Sequence, residues 1–484
     1  MEQQSTGRAF TGRRAGLLLF FVILVIAALV RFPGLDRTSL WYDEAVSWSQ
    51  SSGSFAGLVS QVAQDNYPPL HNIVLWLTIP VLGDGETALR MPSALLGLLA
   101  VGLMVPIGTM LCDRWAGLLA ATLLAMSPFH IWYSTEARMY ALLSAAGLAF
   151  LLAALKTLRS PDRRWLLALA LSCALFLYSH IYALLGFASV GLLFAGYAAR
   201  DLVRGKPFWT SAAVRACIAM GVSTLLFLPW LVVLANRARS VAEEGFWIAY
   251  PDLVFLKGVA FSLAGSLTAF WILAALSIVS FWPRALGTRG KSPARYGNGM
   301  LVCTAYSFGP PVLAYLYSVL VQPILFDRYL IAAWPGVLLL ASVGARRLAP
   351  RAAPLALVAS VVFFTYPELR FTLVEKIRPE WRLIVKDYLR LRTDDDSLVL
   401  YKGFATPALA YYLRDPNAFE TAATPADLDR LAGTGIRWLL VVHSDSRETA
   451  AAVAAFGADG SSPAARRFGW GASGLSLFRA GAAD

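Results

Sequence analysis

Two adjacent carboxylates, Asp43 and Glu44, stand in the stretch Ser39-Leu-Trp-Tyr-Asp-Glu-Ala45, shortly after an apolar run from Leu17 to Val30. Charge is costly close to hydrocarbon and is usually retained there for a functional reason. An Asp within reach of an acceptor hydroxyl can serve as a general base. A solvated loop pair, or an acidic pair favoured by the dipole at a helix N-terminus, would give the same dipeptide. The aromatic flank Trp41-Tyr42 points instead to a site at a membrane interface, where such rings collect.

Further polar residues sit among aromatics at intervals along the chain. Asp65-Asn-Tyr-Pro-Pro-Leu-His71 opens an apolar segment. Its two prolines suit a helix start, while Asp65, Asn66, Tyr67 and His71 either line a polar pocket or merely frame that start. The run His130-Ile-Trp-Tyr-Ser-Thr-Glu-Ala-Arg-Met-Tyr140 supplies His130, Tyr133, Glu136, Arg138 and Tyr140. Glu136 and Arg138 read as an exposed local pair or as part of a site. A guanidinium grips phosphate with two parallel donors, which makes Arg138 a phosphate candidate. Tyr178-Ser-His-Ile-Tyr182 contributes His180 and Tyr182, for which aromatic-belt packing is the stronger plain explanation. Pro323-Ile-Leu-Phe-Asp-Arg-Tyr329 contributes Asp327, Arg328 and Tyr329. Asp327 and Arg328 form a plain salt bridge, or Arg328 is the second phosphate candidate. Two neighbouring carboxylates can hold a divalent cation such as Mg or Mn through oxygen ligands. One Asp-Glu pair without a second acidic motif leaves that metal open.

The elements that must position these residues are membrane spans. The chain has 484 residues, 57% of them hydrophobic, 15% charged, with mean hydropathy +0.58. Soluble domains average roughly 25% charged residues, so a soluble globular class is excluded. The net charge of +12 does not imply nucleic acid, because the basic residues cluster between apolar runs as cytoplasmic anchors do. The first run lacks a small-residue cleavage site and reads as a retained anchor. Cys112, Cys173, Cys217 and Cys303 lie in or beside apolar runs, so neither a disulfide framework nor a zinc spacing is expected.

A span needs about 20 mostly apolar residues. Arg8, Arg13 and Arg14 place the N-terminus inside, and alternation then predicts eleven spans, near 15–31, 88–111, 115–129, 137–156, 165–180, 182–199, 211–234, 266–283, 299–321, 329–345 and 353–366. The run 70–82 is too short to span and stays in an external loop over 32–87 that carries the acidic motif; 251–265 lies along the interface. His71, His130 and His180 then fall at external edges, with His443 in an external tail. Residues 367–484 have mixed charge, a helical segment over 380–391, a turn at 393–396 and β-rich runs at 397–401 and 437–443, with helix signals at 407–413 and 425–431. They read as a small α/β domain, without a motif as dense as those of the first part. The fold class is thus a polytopic α-helical membrane protein, 1–366, followed by an extracytoplasmic α/β domain.

The order Ser-Leu-Trp-Tyr-Asp-Glu-Ala45, Pro-Pro-Leu-His71, Arg90-Met-Pro-Ser-Ala-Leu, Ser127-Pro-Phe-His-Ile-Trp-Tyr-Ser, Glu136-Ala-Arg-Met-Tyr-Ala-Leu, Tyr178-Ser-His-Ile-Tyr and Asp327-Arg-Tyr-Leu resembles bacterial glycosyltransferase family 39-like proteins. These belong to the GT-C superfamily with the protein O-mannosyltransferases and the lipid A aminoarabinose transferases. The resemblance covers about residues 15–345 and is much weaker in the tail. It implies an inner-membrane enzyme that moves a sugar, with inversion, from a polyprenyl-phosphate carrier to an extracytoplasmic hydroxyl. It maps the family's first-loop acid onto Asp43 and its neighbour onto Glu44. Relatives often read His-Pro-Pro-Leu-Tyr, whereas this chain has Tyr67 before the prolines and His71 after them. A substrate contact made by that histidine would move to His71 or be absent. Two other classes compete: a lipid flippase, expected to carry ionisable groups near the bilayer midplane, and a non-catalytic envelope subunit, expected to lack the acid at Asp43. A same-fold enzyme with another lipid-linked donor is not separable by sequence.

Overall fold

The computed structural model describes residues 2–65, 67–244, 248–282, 293–393, 396–432, 436–442, 447–456, 464–467 and 474–479. Asn66 and His443 lie outside the described residues. In chain order the first helices are α1 (Glu2–Leu29), α2 (Tyr42–Ser51), α3 (Phe55–Val62), α4 (Leu70–Leu82), α5 (Glu86–Leu111), α6 (Arg114–Ala125), α7 (Pro128–Ser134), α8 (Tyr140–Arg159) and α9 (Arg163–Ser179). Then come α10 (Ala183–Val203), α11 (Ala212–Glu244), α12 (Leu253–Ala264), α13 (Leu267–Val279), α14 (Pro293–Leu320), α15 (Trp334–Leu348) and α16 (Ala352–Arg370).

Each of the eleven expected spans overlaps a helix, but the one over 115–129 runs across the break between α6 and α7 and the one over 329–345 begins in a 3-10 turn. Among the described residues six are long and apolar enough to cross a bilayer, and two bent pairs raise the number to eight. The pairs are α6 with α7, bent by 65°, and α12 with α13, bent by 80°. Both breaks have local causes. Ser127 caps α7 by accepting from the His130 amide, and Pro128 sits at its first positions, so α6 cannot run on. Gly265 ends α12 at φ 72°, a left-handed conformation that costs glycine little. The expected interfacial segment 251–265 is thereby one arm of a bent pair. The apolar part of α1, Arg14–Leu29, and α4 are both shorter than a full span, in line with the expected exclusion of α4 and short of the span expected over 15–31.

The chain divides into two compact units: Met1–Pro33 with Ala56–Val74 and Arg90–Val374, and Gly34–Phe55 with Leu75–Leu89 and Glu375–Asp484. The expected boundary at 366/367 falls inside α16, where Pro367 does not end the helix; a π-type turn at Phe371–Glu375 follows it. In the first unit, small residues let helices touch. A Cβ on Gly108 would strike the Gly117 backbone, and one on Gly344 would strike the Leu276 carbonyl, the close approach that small residues allow between membrane helices.

The second unit contains α17 (Trp381–Leu391), β1 (Ser397–Tyr401), α18 (Thr406–Leu413), β2 (Glu420–Ala422), α19 (Pro425–Ala432), β3 (Ile436–Val442), α20 (Arg447–Ala455), β4 (Ala465–Arg467) and β5 (Leu475–Arg479). The sheet order is β2-β1-β3-β5-β4, with β1 parallel to both neighbours and β5 antiparallel to β3 and β4. Successive strand residues face opposite sides. Leu398, Leu400, Trp438, Leu440 and Val442 meet α17 and α18 on one face. Val399, Tyr401, Leu439 and Val441 meet α19 and α20 on the other. The expected strands and helices of the tail are therefore present, joined by β2, β4, β5 and α20. Ala45 of α2, far away in sequence, is fully buried in the first of these cores beside Trp381 and Leu409.

Candidate active site

The acidic dipeptide lies in the first turn of α2, within the second unit. Trp41 precedes the helix and offers no side-chain acceptor. Glu44 supplies the missing one, since its Oε2 accepts from the Trp41 amide at 3.3 Å, as the third-position acid of a capping box does. Glu44 is fully buried, whereas Asp43 is half-buried. Adjacent helical residues point about 100° apart, so the pair divides its work: one carboxylate caps the helix while the other remains reachable. Tyr42 packs edge-on against Phe404, with ring centroids 5.5 Å apart.

The cationic candidates converge in the first unit. Arg328 lies in a 3-10 turn over Asp327–Ala332, its guanidinium 4.9 Å from the Phe326 ring, 5.6 Å from Tyr329 and 5.8 Å from Tyr140. Arg138, just ahead of α8, is buried with its guanidinium 4.9 Å from the Tyr67 ring. Tyr67 also hydrogen-bonds Arg138 and Asp65. His180 follows the last residue of α9, and its Nδ1 accepts from the Tyr182 amide just ahead of α10 at 3.1 Å. Burial first, then the charges of Arg138 and Arg328, push its pKa down to about 3. Both guanidiniums thus act on one imidazole, which stays neutral at physiological pH. Tyr329 completes the cluster, 4.9 Å from the rings of both His180 and Tyr182.

Other candidates stand apart in what they touch. His130 is fully buried, its Nδ1 3.0 Å from Arg31 Nη2 and its Nε2 3.3 Å from Ser144 Oγ. Arg31 also donates to the carbonyls of Ala27, Leu124 and Ala125. That network ties α1 to α6 and α7, and gives His130 a structural occupation. Asp327 accepts from Ser262 Oγ and from the Arg328 amide, at 2.5 and 2.6 Å, so it fixes the turn that presents Arg328. Tyr133 meets the Tyr140 ring at 4.9 Å, and His71 and Glu136 are buried. The cysteines Cys112, Cys173, Cys217 and Cys303 are free.

Among the described residues no three His, Cys, Asp or Glu side chains are grouped to hold a metal ion. The Glu44 carboxylate is buried, and its Oε2 accepts from the Trp41 amide.

The fold is that of the solved ArnT and oligosaccharyltransferase structures. ArnT from Cupriavidus metallidurans bound to undecaprenyl phosphate aligns with TM-score 0.63 and 16% identity, covering 96% of this chain and 98% of that one. Its apo form gives TM-score 0.61 and 14% identity, with 98% of each chain covered. The Archaeoglobus fulgidus oligosaccharyltransferase in complex with Zn and sulfate gives 0.54 and 10%, covering 88% of this chain and 68% of that one. Residues 66–231 match the family described as dolichyl-phosphate-mannose-protein mannosyltransferases. That stretch carries Tyr67, His71, His130, Tyr133, Glu136, Arg138, Tyr140, His180 and Tyr182, and it is shorter than the 15–345 of the sequence resemblance. No curated protein sequence matches the chain.

Sequence reading passed over the residues around α2. Tyr412, Arg382 and Glu86 join in one polar cluster with residues 36–40, and Asp84 binds Trp48, Tyr411 and Arg414. The only advance sign was the polar run Gly83-Asp-Gly-Glu86 ending an apolar segment.

Proposed function

We propose that the protein is an inverting membrane glycosyltransferase, moving a hexosyl or pentosyl group from a polyprenyl-phosphate carrier to a hydroxyl on the extracytoplasmic side of a bacterial inner membrane. The observation that carries this reading is the convergence of Arg138 and Arg328 on one aromatic-walled cluster about His180. Two guanidiniums on one neutral ring form a receptacle for an anion larger than a carboxylate, and a phosphate ester fits it. ArnT, the solved neighbour of the same fold, has been crystallised with undecaprenyl phosphate.

In the reaction the acceptor oxygen attacks the anomeric carbon, and Asp43 takes its proton. The bond from that carbon to the phosphate oxygen breaks, and the electron pair leaves with polyprenyl phosphate. Arg138 and Arg328 stabilise the charge that develops on the leaving phosphate. Glu44 holds the helix that presents Asp43. Residues 1–366 carry the transferase, 367–484 lie outside, and the acceptor is lipid A, another envelope glycan or a protein.

Lipids copurifying with the protein, identified by mass spectrometry, and turnover of candidate lipid-linked sugars test the donor. Robust activity with a soluble nucleotide sugar and none with a lipid-linked one would sink the reading. Orientation is tested separately by single cysteines in a background where the native four are replaced. Cysteine at Ser52 or Ser444 should label with a membrane-impermeant maleimide in intact spheroplasts, and cysteine at Ser292 only after lysis. Labelling of Ser292→Cys from outside would overturn the eleven-span topology.

A further inference from the structure

The second unit builds a polar clasp on the chain that leads into α2. The Tyr412 hydroxyl, on α18, accepts from the Leu40 amide at 2.7 Å and donates to Glu86 Oε1. Glu86 also receives Arg382 Nη2 at 2.6 Å. The same Arg382 Nη2 donates to the Asp36 carbonyl at 2.7 Å, and its backbone amide donates to Ser39 Oγ at 3.1 Å. Arg378 lies 4.7 Å above the Trp41 ring. Residues 36, 39, 40 and 41 are therefore each held by the segment 378–412, immediately before Asp43. Beyond it, Ala45 is buried in the core of the same unit. Trp48 is held by Asp84 at 3.1 Å and by the Tyr411 ring at 5.0 Å. Asp43 sits between two fixed points.

We infer that Tyr412 is a positioning residue for Asp43, with Glu86 and Arg382 orienting its hydroxyl, and that setting this carboxylate is one task of the C-terminal domain. The inference rests on Asp43 being the base. Magnitudes single out Tyr412 from the three. Arg382 is well exposed, so water competes at its end of the pair with Glu86, whose side chain is mostly shielded. Tyr412 is largely shielded, and burial, then its hydrogen bond to Glu86 and the Glu86 charge, push its pKa up. It stays a neutral hydroxyl that gives one hydrogen bond and takes another. Removing it strands the Leu40 amide and one Glu86 oxygen, and a stranded shielded group weakens a structure more than a lost exposed pair does.

The test compares Tyr412→Phe, Asp43→Asn and the double variant in the full-length protein, using a lipid-linked sugar the wild type turns over. Tyr412→Phe keeps the ring and its packing. It should lower kcat by about tenfold, the cost of roughly one hydrogen bond's worth of misplacement, while KM for the donor stays near wild type. Exchange of backbone amides over 36–42, followed by mass spectrometry, should quicken in the variant. In the Asp43→Asn background the same change should lower the residual rate no further, because there is no base left to position. Arg382→Lys should cost less, since an ammonium keeps the charge but not the planar fork. An unchanged kcat in Tyr412→Phe, or an equal loss in the Asp43→Asn background, overturns the positioning role. An Asp43→Asn protein that keeps its turnover overturns instead the assignment of the base.

Discussion

The acidic element and the cationic element of this protein are held in opposite ways. Asp43 rides on a ten-residue helix capped through Glu44, and the chain leading into that helix is fixed by long-range bonds from residues more than 300 positions away. Arg138 and Arg328 lie beside helix ends and are fixed by turns and aromatic faces, Phe326 and Tyr329 from Arg328's own turn and Tyr67 and Tyr140 from other segments. A proton acceptor must be aimed within a few tenths of an ångström of hydrogen-bond reach. A cation that stabilises a spread phosphate charge tolerates more slack, because Coulomb attraction falls slowly with distance. The two modes of support match the two tasks.

Asp43→Asn tests the acidic side most severely. The amide keeps size and hydrogen bonding but cannot accept the proton. We expect turnover to fall by at least about 10²-fold, with expression and detergent stability near wild type. A purified variant that retained most of its rate would make Asp43 structural.

Arg138→Ala and Arg328→Ala come next. Each should weaken binding of a polyprenyl-phosphate sugar, with a loss of roughly 10-fold or more for a charge-assisted contact. Lys at either position should restore only part of it. Titration of each variant with the lipid-linked sugar and with a nucleotide sugar separates a phosphate role from a loss of fold. Equal effects on both ligands would refute a lipid-donor site.

How much of this was legible in advance divides along the same line. The spans were readable because hydrophobic runs and basic loops are local signals, and each expected span meets a helix. The bend between α6 and α7 sits at Ser127-Pro128, which was in view as part of a motif but read as continuous. The carboxylates were singled out from two neighbouring letters and their aromatic flank. The clasp was not, because Tyr412, Arg382 and Glu86 are ordinary residues whose only signal is proximity in space. The association of 34–55 and 75–89 with the tail was hidden for the same reason: Ala45 among polar residues carries no mark of the core it enters. The Arg31 contact of His130 was hidden likewise, since a lone histidine in an aromatic motif gives no hint of a buried partner.

Glu44→Gln should be milder than any of the preceding variants. Gln retains an oxygen that can accept from the Trp41 amide, so the cap survives and only the charge is lost. We expect turnover to fall by less than tenfold in the assay that reads Asp43→Asn as inactive. A loss as deep as that of Asp43→Asn would show that Glu44 itself enters the chemistry.

The smallest effect is expected at His180, where the cationic side is probed without touching a cation. Its pKa lies at about 3 rather than 6.5, through burial and the two arginines. The imidazole is therefore neutral across pH 5–8 in the unliganded protein. His180→Asn keeps an acceptor for the Tyr182 amide, so activity at neutral pH should stay within about tenfold of wild type, against the 10²–10⁴ expected for a lost acid or base. Stability carries the clearer sign. Between pH 6.5 and about 3 the unfolded chain binds a proton at this position that the folded chain refuses. Stability therefore falls as pH drops through that window. The Asn variant lacks the titrating group, so its melting temperature should decline less steeply from pH 6.5 to 4 than that of the wild type. Parallel slopes would mean that His180 titrates freely, and that the two guanidiniums do not share its surroundings.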